Sequence, residues 1–272
     1  MKFFLTYNFM QRALLAGIFI ANTCAILGVF LVLRKDAMLG HGLAHITFGG
    51  VALGLFLNIL PMTAALLVAV LCALGIIKLR EKAGVYEDTA IGIFSSIGLA
   101  LGIILASLSG DFNAGLMSYL FGDIMAISST EVWVSMVLTI ITFAIIVIFY
   151  QELLFVTFDP DSAKASGIKA GRLESILILL TAIVVVLGMK IVGLLLVTAI
   201  IVIPAAGSLQ IAKSFFSAII ISMLVASLSV AIGLWLAFYL NLPASGTVIL
   251  LSSVFFLILF SSRAVRSGIR IN

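Results

Sequence analysis

The sequence predicts an all-α polytopic membrane protein of eight or nine helices, and three observations carry that prediction. Of its 272 residues, 64% are hydrophobic and only 10% charged, and the mean hydropathy of +1.37 far exceeds that of a water-soluble domain. The apolar residues come in runs of roughly 20, the length a helix needs to cross the hydrocarbon core. Lys and Arg gather at the ends of alternate runs, as short cytoplasmic loops require. One membrane domain over residues 1–272 uses the whole length and leaves no room for a separate soluble domain.

Taken in order, the chain opens with MKFFLTYNFMQR, whose apolar core is too short for a cleaved leader, so it reads as an interfacial segment before the first span. Nine spans follow near 13–33, 38–59, 62–79, 89–108, 131–150, 173–189, 191–208, 215–240 and 243–262. Only Met189 and Lys190 separate the sixth from the seventh, so the two form a hairpin or a broken pair, and eight spans is the alternative count. With nine spans and a cytoplasmic C-terminus, twelve cations lie inside: Arg34, Lys35, Lys78, Arg80, Lys82, Lys164, Lys169, Arg172, Lys213, Arg263, Arg266 and Arg270. Lys2, Arg12 and Lys190 remain outside, and this imbalance orients the chain in a plasma membrane. The outer loops hold Asp111, Asp123 and Glu131, a face mildly attractive to divalent cations.

Several classes are excluded. The net charge of +4 reflects basic cytoplasmic loops rather than a nucleic-acid surface. Cys24 and Cys72 lie inside apolar runs without CxxC spacing, so neither a disulfide framework nor a thiolate metal site is encoded. The stretch from Gly207 to Ser214 approaches a phosphate-binding loop, but Ala212 stands at its second glycine and a span rather than a strand precedes it. It is a chance match, and any ATP-driven work needs a separate ATPase.

The two histidines of the chain, His41 and His45, stand four residues apart in an apolar run. That spacing stacks both imidazoles on one helix face, and ionisable groups inside a bilayer face a cavity, a partner or a substrate. The pair is the candidate metal site; the bland reading is hydrogen bonding to a neighbouring carbonyl. Two protein ligands are fewer than a structural zinc site uses, which suits a protein that must release its ion, and imidazole favours zinc where carboxylates would favour manganese. HGLAH resembles the HExxH of zinc proteases, but Gly42 replaces the catalytic Glu, so no general base is present and the chain is not read as an enzyme. Gly50 and Gly54 form a GxxxG best explained by helix packing.

Three further features are local. Asp159-Pro160 sets a turn, Pro160 suits the first position of a helix, and Asp161 lies near its positive end. A helix over 162–166 then stops at Gly167, giving either a handle for a soluble partner or a solvated turn. Glu87 and Asp88 begin a span, where they cap the helix or, alternatively, line an ion exit. Pro204 inside a span is expected to bend or open it locally.

The run GVFLVLRKDAMLGHGLAHITFGGVALG resembles the membrane permeases of bacterial and archaeal metal-ion ABC importers, the zinc and manganese uptake family. His45 matches the histidine of that family's G-D-x-L-[SA]-H motif, and His41 replaces its aspartate. EDTAIGIFSSIGLALGIIL, LFGDIM, FDPDSAKASGI, VGLLLVTAIIVIPAA and LPASGTVILLSSVFFLI resemble further family segments in order, nearly to the C-terminus. The resemblance implies a type II ABC importer-like permease that moves Zn²⁺, with Mn²⁺ or Fe²⁺ as alternatives, and binds no cofactor itself. It implies a cytoplasmic coupling segment at about 158–170, carried by Asp159, Pro160, Asp161, Ala163, Ala165 and Gly167. The implied partners are a cytoplasmic ATPase, an external metal-binding protein and a second copy of this chain. A stand-alone ion-coupled carrier or channel is the competing class, but neither a dense set of intramembrane carboxylates nor an inverted repeat is evident.

Overall fold

The computed structural model describes residues 7–84, 86–109, 115–123 and 126–268. Asp111, Asn113, Lys2 and Arg270, the last two residues of LFGDIM and the side chain of Glu87 lie outside the described positions. Twelve helices follow one another: α1 (Asn8–Leu33), α2 (Met38–Phe56), α3 (Pro61–Ala83), α4 (Glu87–Ser109), α5 (Gly115–Phe121), α6 (Ser129–Ile148), α7 (Tyr150–Phe158), α8 (Pro160–Ala165), α9 (Ala170–Val192), α10 (Leu194–Ile211), α11 (Phe215–Leu240) and α12 (Ala244–Gly268). Among the described residues nine of them are long and apolar enough to cross a membrane, and they coincide with the nine expected spans. The eight-span alternative is discarded.

The helix ends follow from local chemistry. α1 closes on a left-handed Lys35 (φ 65°), with the Asp36 N–H donating to the Leu31 carbonyl at 2.8 Å. α3 starts with Pro61 at its first position. Ser128 and Glu131 form a capping box at the start of α6, and Ser214 and Ser217 form one at the start of α11. Capping makes each helix end self-sufficient in hydrogen bonds, which a chain that turns back at the membrane surface needs.

The sixth and seventh spans are separate helices joined by Gly193 alone (φ 88°, ψ 151°). Only glycine adopts that backbone conformation without strain, and the Gly193 turn packs against the Gly122 turn (φ 78°), where an added Cβ on Gly122 would lie 2.7 Å from the Gly193 nitrogen. Nearby, Lys190 at the end of α9 pairs with Glu131 at the start of α6. Glu131 also accepts from the Ser128 N–H at 2.8 Å, so its charge is committed to the fold rather than offered to passing cations. α10 runs through Pro204 as one helix, so the expected opening is absent from the secondary structure.

The spans form two groups with α9 between them. α1 is enclosed by α6, α9, α10 and α11, and α12 closes over α10 and α11, whereas α2 packs on α3 and α4. Hydrogen bonds lock α1 within the apolar interior: Thr23 Oγ1 donates to Thr139 Oγ1 at 2.9 Å, and Ser227 Oγ donates to Asn22 Oδ1 at 2.8 Å. Such bonds hold helices together where lipid removes the hydrophobic driving force. Gly50 and Gly54 do serve packing: added Cβ atoms would lie 2.7 Å from Ala65 Cα and Pro61 Cα of α3.

α2 and α4 run parallel and touch backbone to backbone. A Cβ on Gly98 would lie 2.7 Å from Ile46 Cα. Replacing Gly98 by Val should therefore force the two helices apart, costing about 1–3 kcal/mol and lowering the melting temperature of the purified protein by on the order of 5 °C. Gly92→Ala on the same helix, where nothing lies within 4 Å of the new Cβ, should leave it unchanged or slightly raised.

Candidate metal site

α2 is enclosed along most of its surface by α3, α4, α9 and α10. One stripe escapes. Met38 is 56% exposed, His41 is exposed and His45 is half-buried, whereas Phe48 and Ala52, the next positions along the same stripe, are buried. The open stripe thus begins at the end of α2 that carries Arg34 and Lys35 and stops one turn beyond His45.

Both predicted ligands meet on this stripe. Their Nε2 atoms lie 3.1 Å apart, with ring centroids at 4.6 Å and planes near perpendicular (88°). The close approach requires one imidazole to be the Nε2–H tautomer and the other to accept from it. Two nitrogens each about 2.0–2.1 Å from one tetrahedral zinc stand about 3.3 Å apart, so a metal ion could sit between the two Nε2 atoms with little movement of either ring once the shared hydrogen moves to the donor ring's Nδ1. Among the described residues the hydrogen bond to a neighbouring carbonyl, the bland alternative, is not seen; His41 and His45 bond each other.

The rest of the stripe is set by how α2 meets α4. Gly42 abuts Ile91, and Gly49 abuts Gly98, while Gly50 on one flank meets α3 and Phe94 of α4 meets Gly75 of α3 on the same side. At about 100° per residue, His41 and His45 project from the opposite flank, and on α4 that flank carries Asp88, Gly92, Ser95 and Leu99. Asp88 and Gly92 are exposed and Ser95 is half-buried. The groove between α2 and α4 therefore combines two imidazoles, a hydroxyl and, toward its open end, one carboxylate. Among the described residues no group of three or more His, Cys, Asp and Glu is close enough to hold a metal ion. Gly42 packs so tightly on Ile91 that the Glu of an HExxH site has no room there.

The segment expected to couple contains a short helix. Asp159 caps it by accepting from the Ser162 N–H at 3.0 Å, and hydrogen bonding first from the Ser162 hydroxyl and then from its N–H holds the Asp159 carboxyl below its usual value. Pro160 occupies the first turn, and Gly167 (φ 84°) ends the motif, with the Ile168 N–H reaching back to the Ala163 carbonyl at 3.1 Å. Helix α8 spans Pro160–Ala165, slightly earlier than the expected 162–166. Ala163 is buried and seats the helix, whereas Asp161, Ser162, Lys164, Ala165 and Ser166 are exposed. The sequence reading missed α7, which precedes α8. Phe158 at its end and Tyr150 at its start both meet Phe215 of α11, at centroid distances of 6.2 and 5.9 Å, and Phe30 of α1 meets the same ring at 4.9 Å. The signal was the spacing of Tyr150 and Phe158, hidden in an apolar run continuous with the fifth span. The residues from Gly207 to Ile211 belong to helix α10 and Ser214 caps α11, so no phosphate-binding loop forms there.

The profile of the ABC 3 transport family matches residues 6–263. The chain is 34% identical to the high-affinity zinc uptake system membrane protein ZnuB of Haemophilus influenzae, across 93% of this chain and 97% of that protein. It is 31% identical to the manganese transport system membrane protein MntC of Listeria monocytogenes, across 93% and 90%. Its structure is similar to that of PsaBC from Streptococcus pneumoniae in complex with Fab, with a TM-score of 0.81 at 32% identity over 93% of this chain and 91% of that one.

The exposure gradient is open to a cysteine scan of the purified protein. In a background lacking Cys24 and Cys72, an aqueous thiol reagent should modify His41→Cys rapidly, His45→Cys more slowly, and Phe48→Cys or Ala52→Cys hardly at all.

Proposed function

Because the chain belongs to the ABC 3 transport family, and so is a multi-pass metal-ion ABC permease rather than an enzyme, we propose that it imports Zn²⁺ through the groove that presents His41 and His45. One observation carries the choice of ion: the closest polar groups in the groove are two imidazole nitrogens, 3.1 Å apart. Nitrogen donors favour zinc over manganese, which prefers carboxylate and water oxygens. Mn²⁺ is the competing cargo because relatives with that assignment are as similar, and Asp88 at the open end of the groove would serve either ion as it leaves.

The remaining parts follow from transport. ABC permeases work with a separate ATPase, and the exposed face of α8 offers Asp161, Lys164 and Ala165 as its docking surface. An external metal-binding protein delivers the ion. The C-terminus lies in the cytoplasm with the coupling segment, which puts the open end of the groove inside the cell. A charged or polar stripe facing lipid is costly, so a second copy of the chain faces the histidines and closes the path around a two-fold axis.

Three measurements test this reading. His45→Ala should abolish zinc-dependent growth rescue at unchanged protein abundance, since losing one of two protein ligands removes the chelate; His41→Asp should retain transport and shift preference toward manganese. Wild-type zinc uptake by His45→Ala would end the proposal. For topology, single cysteines at Lys82, Ser162 and Ser267 should be labelled from inside, and those at Asn113 and Asn241 from outside. In the purified complex, Ala165→Trp should disconnect ATP hydrolysis from metal uptake, while normal values for both would reduce α8 to a solvated turn.

A further inference from the structure

At the start of α2 lies a buried ionic cluster that the transport reading does not use. Asp36, in the turn between α1 and α2, is only 2% exposed. Its Oδ1 accepts from Arg80 Nη2 of α3 at 2.9 Å, and its Oδ2 faces Arg34 Nε at 3.7 Å. Arg34, itself nearly buried, donates through Nη2 to Glu174 Oε1 of α9 at 2.7 Å. Two arginines and two carboxylates therefore join α1, α2, α3 and α9 at one point.

We propose that Asp36 is a positioning residue for transport, which with Arg34 and Glu174 transmits displacement of the coupling helix α8 to the histidine pair on α2. The inference rests on the reading of α8 as the ATPase handle. Its first link is the junction of α8 and α9. Ala163 is buried, Ile168 bonds back to Ala163, and the Ala170 N–H donates to the Ile168 carbonyl at 2.8 Å, so α8 and the first turn of α9 move together. Glu174 stands in the second turn of α9 and grips Arg34.

The next link is the α1–α2 turn. Arg34, Lys35 and Asp36 form the left-handed closure of α1, and Asp36 is the last residue but one before α2 begins. His41 follows Asp36 by five residues, about 7–8 Å along the axis at 1.5 Å per residue. Arg80 fixes the other side of Asp36 to the inner end of α3, so the start of α2 cannot shift without carrying α3 or breaking a buried ion pair. Charges withdrawn from water hold one geometry, because separating them leaves each uncompensated. The cluster therefore behaves as a rigid joint rather than a flexible surface contact, and a helix displaced at α8 reaches the histidines through it.

The test uses the purified permease–ATPase complex in proteoliposomes, with zinc binding, ATP hydrolysis and zinc uptake measured together. Asp36→Asn and Glu174→Gln should each lower the zinc moved per ATP about tenfold, while zinc binding at the histidine pair and basal ATP hydrolysis stay within twofold of wild type. Asp36→Glu, which keeps the charge, should recover much of the loss. The double variant Asp36→Asn/Glu174→Gln should be no worse than the poorer single one, since both act in one chain of contacts. Unchanged zinc per ATP in the single variants would overturn the inference, as would losses in the two that multiply. Should Asp36→Asn fail to fold, Glu174→Gln, whose side chain is 30% exposed, decides the matter alone. Ala165→Trp in the same assay separates the two levels: if it couples normally the reading of α8 falls, whereas if it uncouples while Glu174→Gln does not, only the ionic joint is disproved.

Discussion

The backbone-to-backbone approach of α2 to its neighbours governs the whole arrangement. Glycines at 42, 49, 50 and 54 on α2, and at 98 and 102 on α4, remove the side chains that would otherwise hold these helices apart. With α3 and α4 drawn in to this distance and α9 and α10 behind, nearly every face of α2 is sealed. The one stripe left open is the one that carries His41 and His45. Small residues therefore shape the site more than the ligands do, since they decide which face of the helix meets anything other than protein.

The histidine pair suits transient binding. Two imidazoles within 3.1 Å share one N–H hydrogen when no metal is present, and a metal ligated through both Nε2 atoms would require that hydrogen to move to the ring's Nδ1. A structural zinc site completes four protein ligands and keeps its ion. A site with two leaves the remaining positions to groups that can depart, which is what a carrier of cargo requires. Imidazole ligands would bring no negative charge to offset that of a metal, which would raise the free energy of a loaded state relative to a carboxylate site.

Charges elsewhere divide by role. Lys190 with Glu131 ties α9 to α6 near the two glycine turns, while Arg34, Asp36, Arg80 and Glu174 bind four helices at the other end. Phe215 adds an aromatic hub between α1, α7 and α11 beside α8. The end of the molecule nearest α8 is thus the most heavily cross-linked, and the histidine stripe opens from that same end. Under the proposed function, mechanical input and ion exit share one region of the fold, which would shorten the route between them.

Much was legible in the sequence, because the bilayer imposes length and polarity one helix at a time. The nine spans follow from apolar runs of the required length, and Asp159, Pro160 and Gly167 mark α8 because capping is a property of a few consecutive residues. The i, i+4 spacing of His41 and His45 guarantees that they share a face wherever α2 lies. The partnership of Asp36 with Arg80, across 44 residues, could not be read this way, nor could that of Arg34 with Glu174, because each depends on which helices become neighbours. The same holds for Glu131, whose apparent availability to cations vanishes once Lys190 folds against it. Sequence alone determined the nine spanning helices, the capping of α8 and the shared face of His41 and His45, since these depend on contacts a few residues apart. Only the tertiary structure decided which face of α2 stays open and which charges are spent inside the fold, because exposure and ion pairing are set by the approach of distant segments.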